Sequence, residues 1–88
     1  MKTKIKIFLV DDDALYLRLL EIQFLEKANF EVLTFSSGEE CLENLSQKPD
    51  LIVLDYMLSS INKEAMNGIK ILDKIKELNP NIQVVILS

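Results

Sequence analysis

Apolar residues follow two alternating rhythms along this chain. Lys4 to Val10 opens as Lys-Ile-Lys-Ile and closes on the unbroken run Ile7-Phe8-Leu9-Val10. A short, β-branched segment without a polar face predicts a strand buried on both sides. Three aspartates stop it. Asp13 is a good N-cap, and Ala14 to about Ala28 then reads as a helix with Leu17, Leu20, Phe24 and Ala28 on one face. Leu15, Leu19 and Ile22 make a second apolar row beside the first, more than one buried face demands. A half-alternating strand follows over Phe30 to Phe35. Ser37-Gly38-Glu39-Glu40 fits a capping box, with Ser37 and Glu40 satisfying each other's backbone donors. The helix it opens, about 38–47, turns Cys41, Leu42 and Leu45 inward and ends near Lys48-Pro49. Asp50 to Asp55 predicts a third strand, apolar on both faces before its terminal carboxylate. A loop runs from Tyr56 to about Asn67. The helix at about 67–78 carries Gly68, Ile71, Leu72, Ile75 and Leu78 inward and ends at Asn79-Pro80. Ile82 to Leu87 is a fourth buried-type strand, and Ser88 is last.

The order βαβαβαβ, with strands apolar on both faces, predicts an α/β fold: a parallel sheet covered by helices on both sides. No internal repeat, linker or low-complexity segment interrupts it, so residues 1–88 read as one domain. A fourth strand that ends the chain without neighbour or cover reads as an apolar edge, as though a larger α/β domain were cut short.

Composition narrows the chemistry. Without a histidine, a histidine nucleophile, base or metal ligand is excluded. The single cysteine forms neither an internal disulfide nor a thiolate zinc cage, which favours a cytoplasmic location. Ten Lys/Arg against fourteen Asp/Glu give a net charge of −4, which argues against nucleic acid as this segment's partner. The apolar runs fall short of the roughly 18 residues of a membrane span, and Asp11 to Asp13 interrupt the first of them too early for the pattern of a secretory signal. After the first strand comes an acidic triplet where a dinucleotide-binding loop would need glycines.

The carboxylates hold the chemical signal. In open parallel sheets, ligands bind beyond the carboxyl ends of the strands. Asp11, Asp12 and Asp13 follow the first strand, Asp55 closes the third, and Ser88 follows the fourth. If the first and third strands are neighbours, these groups share one end of the sheet. Two carboxylates about 4 Å apart repel by roughly 4 kcal/mol at an effective dielectric of about 20. Raised pKa values and affinity for a divalent cation follow, and few, hard oxygen ligands suit Mg²⁺. A carboxylate beside Mg²⁺ can also attack a phosphoryl group, and Asp55, standing alone at its strand end, is the better nucleophile.

Phe8-Leu9-Val10-Asp11-Asp12-Asp13, Ser36-Ser37-Gly38-Glu39-Glu40, Pro49-Asp50-Leu51-Ile52-Val53-Leu54-Asp55 and Val84-Val85-Ile86-Leu87-Ser88, in that order, resemble the receiver domain of two-component response regulators. The resemblance spans the whole chain. It implies a flavodoxin-like sheet of order 2-1-3-4-5, of which the last helix-strand-helix portion would be missing here. It implies that Asp55 accepts a phosphoryl group from a histidine kinase or phosphotransfer protein. It also implies Mg²⁺ held by Asp11, Asp12, Asp55 and the main-chain carbonyl of Met57, with the Ser88 hydroxyl sensing the phosphoryl group. Such a domain is a signalling phosphoacceptor rather than an enzyme in its own right.

The sequence departs from that pattern in three places. Leu58-Ser59 stands where Met-Pro is usual, and Asn67-Gly68 comes about five residues late, a length that loop entropy tolerates. The family's lysine, switch aromatic and customary dimer surface have no counterpart before Ser88. The exposed fourth-strand edge is expected to support self-association. Two other readings stand beside this one. One is a receiver-like interaction module independent of phosphorylation. The other is a Mg²⁺-dependent phosphatase of the haloacid dehalogenase type, which would need a second aspartate where Met57 stands.

Overall fold

The computed structural model describes residues 4–27, 29–55 and 67–87. Its elements are β1 (Ile5–Val10), α1 (Ala14–Leu25), β2 (Phe30–Phe35), α2 (Gly38–Glu43), a 3₁₀ turn (Leu45–Gln47), β3 (Leu51–Asp55), α3 (Gly68–Leu78) and β4 (Gln83–Leu87). The four strands form one sheet in the order β2-β1-β3-β4, parallel throughout. β1 therefore lies inside the sheet, which is why its last four residues are all buried and its sequence has no polar face.

Alternate residues of the central strands feed two cores. Phe8 and Val10 of β1 and Ile52 and Leu54 of β3 pack with Phe35, Cys41, Ile71, Ile75 and Ile82, the face covered by α2 and α3. Ile7, Leu9 and Val53 face the other way, against Leu17 and the half-buried Leu20 and Phe24 of α1. An edge-to-face contact between Phe8 and Phe35, with ring centroids 4.8 Å apart, joins β1 and β2 on the first of these faces. Where α2 begins, α3 comes so close that a Cβ on Gly38 would collide with Cγ1 and Cδ1 of Ile71.

Several elements differ in detail from the sequence pattern. α1 ends at Leu25, three residues before Ala28, as Glu26 and Lys27 turn their N–H groups back to Ile22, Phe24 and the last turn; Ala28 lies outside the described residues. Leu78 continues the apolar spacing of α3 yet is 66% exposed, because the helix runs past the edge of the core it covers. The helix read over 38–47 is α2 followed by the 3₁₀ turn, and Lys48 then adopts a left-handed backbone (φ 58°) ahead of Pro49. Ser37 caps α2 by accepting from the Glu40 N–H, but the Glu40 carboxylate accepts from the hydroxyls of Ser36 and Ser37 rather than closing a reciprocal box. Asp50 precedes β3 instead of opening it. β4, whose residues carry the pattern of a buried strand, is half exposed, with Val85 44% open, because it lies at the edge of the sheet among the described residues, the edge position that the sequence predicts.

Candidate metal centre

Strand register assembles this site. Val10 pairs with Leu54 across β1 and β3, so the next residue on each strand is an aspartate, Asp11 beside Asp55. Asp12 follows directly. One carboxylate oxygen from each of Asp11, Asp12 and Asp55 lies within 4.8 Å of the others. The parallel crossover that puts β3 next to β1 thus brings together residues 44 positions apart, at the carboxyl end of the sheet.

Asp11 is the most constrained of the three. It is 3% exposed, and its main-chain N–H donates to the Phe35 carbonyl of β2 at 3.1 Å. Its Oδ1 accepts from the Asp13 N–H at 2.8 Å. Burial pushes its carboxyl up to about 6; the Asp13 N–H opposes the rise, and the charges of Asp55 and Asp12 reinforce it. Asp12 and Asp55 are half-buried. Asp13 is exposed and turns outward to cap α1, accepting from the N–H groups of Leu15 and Tyr16 at 3.1 and 3.2 Å. The sequence pattern identifies that cap; the hydrogen bond from Asp13 to Asp11 depends on the folded turn.

Of the other residues singled out, Met57 and Ser88 lie outside the described residues, as does the extended loop over 56–66. Asn67, which the sequence places at the end of that loop, caps α3 by accepting from the Lys70 N–H at 3.0 Å. Cys41 is fully buried, and that burial pushes its thiol up to about 12, so it packs and does not react.

α1 starts directly after Asp13, so its surface adjoins the carboxylates. Leu17 faces the sheet, whereas Leu15, Tyr16, Leu19, Ile22 and Leu25 are all exposed. The second apolar row of this helix is therefore surface and not extra core. At the opposite end of α1, a groove of about 220 Å³ lies between Gln23, Phe24, Lys27 and Phe30 and contains no carboxylate. Among the described residues, no helix is long and apolar enough to cross a membrane.

The sequence and the fold are similar to those of known proteins. The response regulator receiver domain model matches residues 7–88. The chain is 34% identical over 84 residues to the alkaline phosphatase synthesis transcriptional regulatory protein PhoP of Bacillus subtilis, covering 94% of this chain and 32% of that protein. It is 31% identical over 82 residues to the chemotaxis protein CheY of Thermotoga maritima, covering 91% of this chain and 64% of that one. The N-terminal domain of a response regulator receiver protein from Methanoculleus marisnigri superposes with a TM-score of 0.75 at 36% identity, over 94% of this chain and 65% of the other. The chain thus spans about a third of the PhoP regulator and just under two thirds of the other two.

Proposed function

The chain belongs to the response regulator receiver domain family, and on that premise we propose that it accepts a phosphoryl group on Asp55 from a histidine kinase or phosphotransfer protein. The observation that carries this reading is the convergence of the Asp11, Asp12 and Asp55 carboxylates at the ends of two adjacent strands.

The three carboxylates suit a small divalent cation. Their hard oxygens lie close together, and the burial that raises Asp11 gives a site whose negative charge is costly without a counter-ion. Asp11, Asp12 and Asp55 would hold Mg²⁺, with the main-chain carbonyl of Met57 as a further ligand on the strength of the family resemblance. Bound there, Mg²⁺ supplies positive charge that offsets the carboxylates and the oxygens of the transferring phosphoryl group.

Asp55 is the nucleophile in this proposal. One of its carboxylate oxygens forms the new bond to phosphorus, while the bond from phosphorus to the donor's imidazole nitrogen breaks and that nitrogen keeps the electron pair. Asp11, held from two sides by Phe35 and Asp13, keeps a fixed carboxylate beside the reacting one. Ser88 supplies the hydroxyl that senses the product. The donor docks along α1, whose exposed Leu15, Tyr16, Leu19, Ile22 and Leu25 offer an apolar helix face that begins next to the carboxylates and runs away from them. Such a domain works in the cytoplasm, where its donors act.

The test is intact mass after incubation with Mg²⁺ and acetyl phosphate, run beside Asp55→Asn. The wild-type chain is expected to gain one phosphoryl adduct that disappears with chelator and in the variant. An adduct that persists in Asp55→Asn would move the acceptor elsewhere. No adduct on the wild-type chain would favour a receiver-like module that works through binding alone.

A further inference from the structure

Asp13 is not one of the three converging carboxylates, yet two sets of hydrogen bonds meet in it. Its main-chain N–H donates to Asp11 Oδ1 at 2.8 Å. Its side chain accepts from the N–H groups of Leu15 and Tyr16, and its carbonyl accepts from the Leu17 N–H at 3.0 Å. The cap fixes the residue in an extended conformation (φ −92°, ψ 104°) against the first turn of α1, and the N–H of that same residue is the one that meets Asp11. Asp11 itself is anchored at its main chain by Phe35. With one carboxylate oxygen held by a fixed donor, the orientation of the other is fixed too. Ligands held in place before the cation arrives bind it more tightly than ligands that must first be ordered.

We infer that Asp13 is a positioning residue for the cation site: its side-chain cap on α1 holds the main-chain N–H that orients the Asp11 carboxylate. The inference rests on the Mg²⁺ reading of Asp11, Asp12 and Asp55 given above. It also ties the first turn of α1 to the metal ligands through a single residue, so a displacement of that turn alters cation affinity.

Mg²⁺ alone is titrated into the whole chain and followed by the amide NMR signals around Asp11 and Asp55. Asp13→Ala, which lacks the cap, is expected to weaken Mg²⁺ by about fivefold, the size of one lost cap. Asp13→Asn keeps the cap and loses the charge, and is expected to stay within about twofold of wild type. Equal weakening in both variants would assign the effect to charge and overturn the inference; so would an unaffected Asp13→Ala.

Coupling between sites is reciprocal, so Mg²⁺ must in turn strengthen the cap. Hydrogen exchange at the Leu15 and Tyr16 amides of the wild-type chain should therefore slow by a similar factor on saturation. This measurement needs no variant to fold, and unchanged exchange would overturn the inference. A wild-type chain with no response to Mg²⁺ would overturn both this inference and the reading beneath it. A normal wild-type response with an unaffected Asp13→Ala would overturn this inference alone.

Discussion

The two ends of the sheet use aspartate in opposite ways. At the amino end, Asp50 stands just before β3 and closes a two-point clamp on β1. Its Oδ2 accepts from the Lys6 N–H at 2.8 Å, and its own N–H donates to the Lys6 carbonyl at 2.8 Å. Lys6 adds a bond from Nζ to the Gln47 carbonyl at 3.1 Å. Charge and hydrogen bonding there serve the pairing of β1 with β3. At the carboxyl end the same two strands finish in Asp11 and Asp55, with Asp12 beside them, and like charges are pressed together. One end contributes stability, and the other gives some up to concentrate charge where a cation can use it.

That contrast can be broken most forcefully at Asp11. In the folded chain its carboxyl takes up a proton near pH 6, against an ordinary value of 3.8 when unfolded. The folded state therefore holds more protons between those values. In chelator, stability is expected to rise as pH falls from about 6 to about 4, and to be lost again as pH rises through 6. The full difference is at most about 3 kcal/mol. Asp11→Asn should be more stable than wild type at neutral pH and lack this rise. Urea unfolding across that pH range checks it, and identical profiles for the two chains would remove Asp11 as the source. Mg²⁺, which needs the ionised carboxylate, should bind more weakly as pH drops below 6.

A change at Asp50 should have the opposite character. Asp50→Ala removes the acceptor for the Lys6 N–H and is expected to destabilise the fold by about 1–2 kcal/mol at neutral pH. Asp50→Asn, which keeps an acceptor oxygen, should recover much of that loss. Neither variant should shift Mg²⁺ affinity once folded. A changed affinity in Asp50→Ala would mean that the two ends are coupled through β3. Lys6→Met is the mildest test. Its Nζ bond to Gln47 is exposed, and its loss is expected to cost about 0.5 kcal/mol or less by thermal melting.

α1 and α3 repeat the contrast between structural and functional use of the same residue types. α3 buries Ile71 and Ile75 completely and exposes Lys70 and Lys74, an ordinary two-faced helix. α1 buries only Leu17 while five large apolar residues remain open. In the sequence this surplus is legible as a second apolar row, but it reads equally well as extra core. Only the placement of a single sheet beneath α1 makes that row surface.

Hydrophobic periodicity alone predicted the order of elements, the parallel α/β class and most core positions, because strand and helix spacing are local properties of the chain. The acidic triplet after β1 and the carboxylate at the end of β3 were equally visible, as was Asp13 as a cap. Local pattern could not place the end of α1, where Glu26 and Lys27 carry no glycine or proline to mark the stop. Nor could it show that Leu78 overshoots the core, or that Lys48 would take a left-handed backbone. The site depended on more than pattern. Asp11 meets Asp55 only because β3 crosses over to lie beside β1 with Val10 opposite Leu54. Asp11 alone becomes deeply buried because β2 and the Asp13 turn close over it. Which residues carry charge is written in the sequence. Which of those charges must share one small volume is set by long-range strand pairing, and that was decided only when the chain folded.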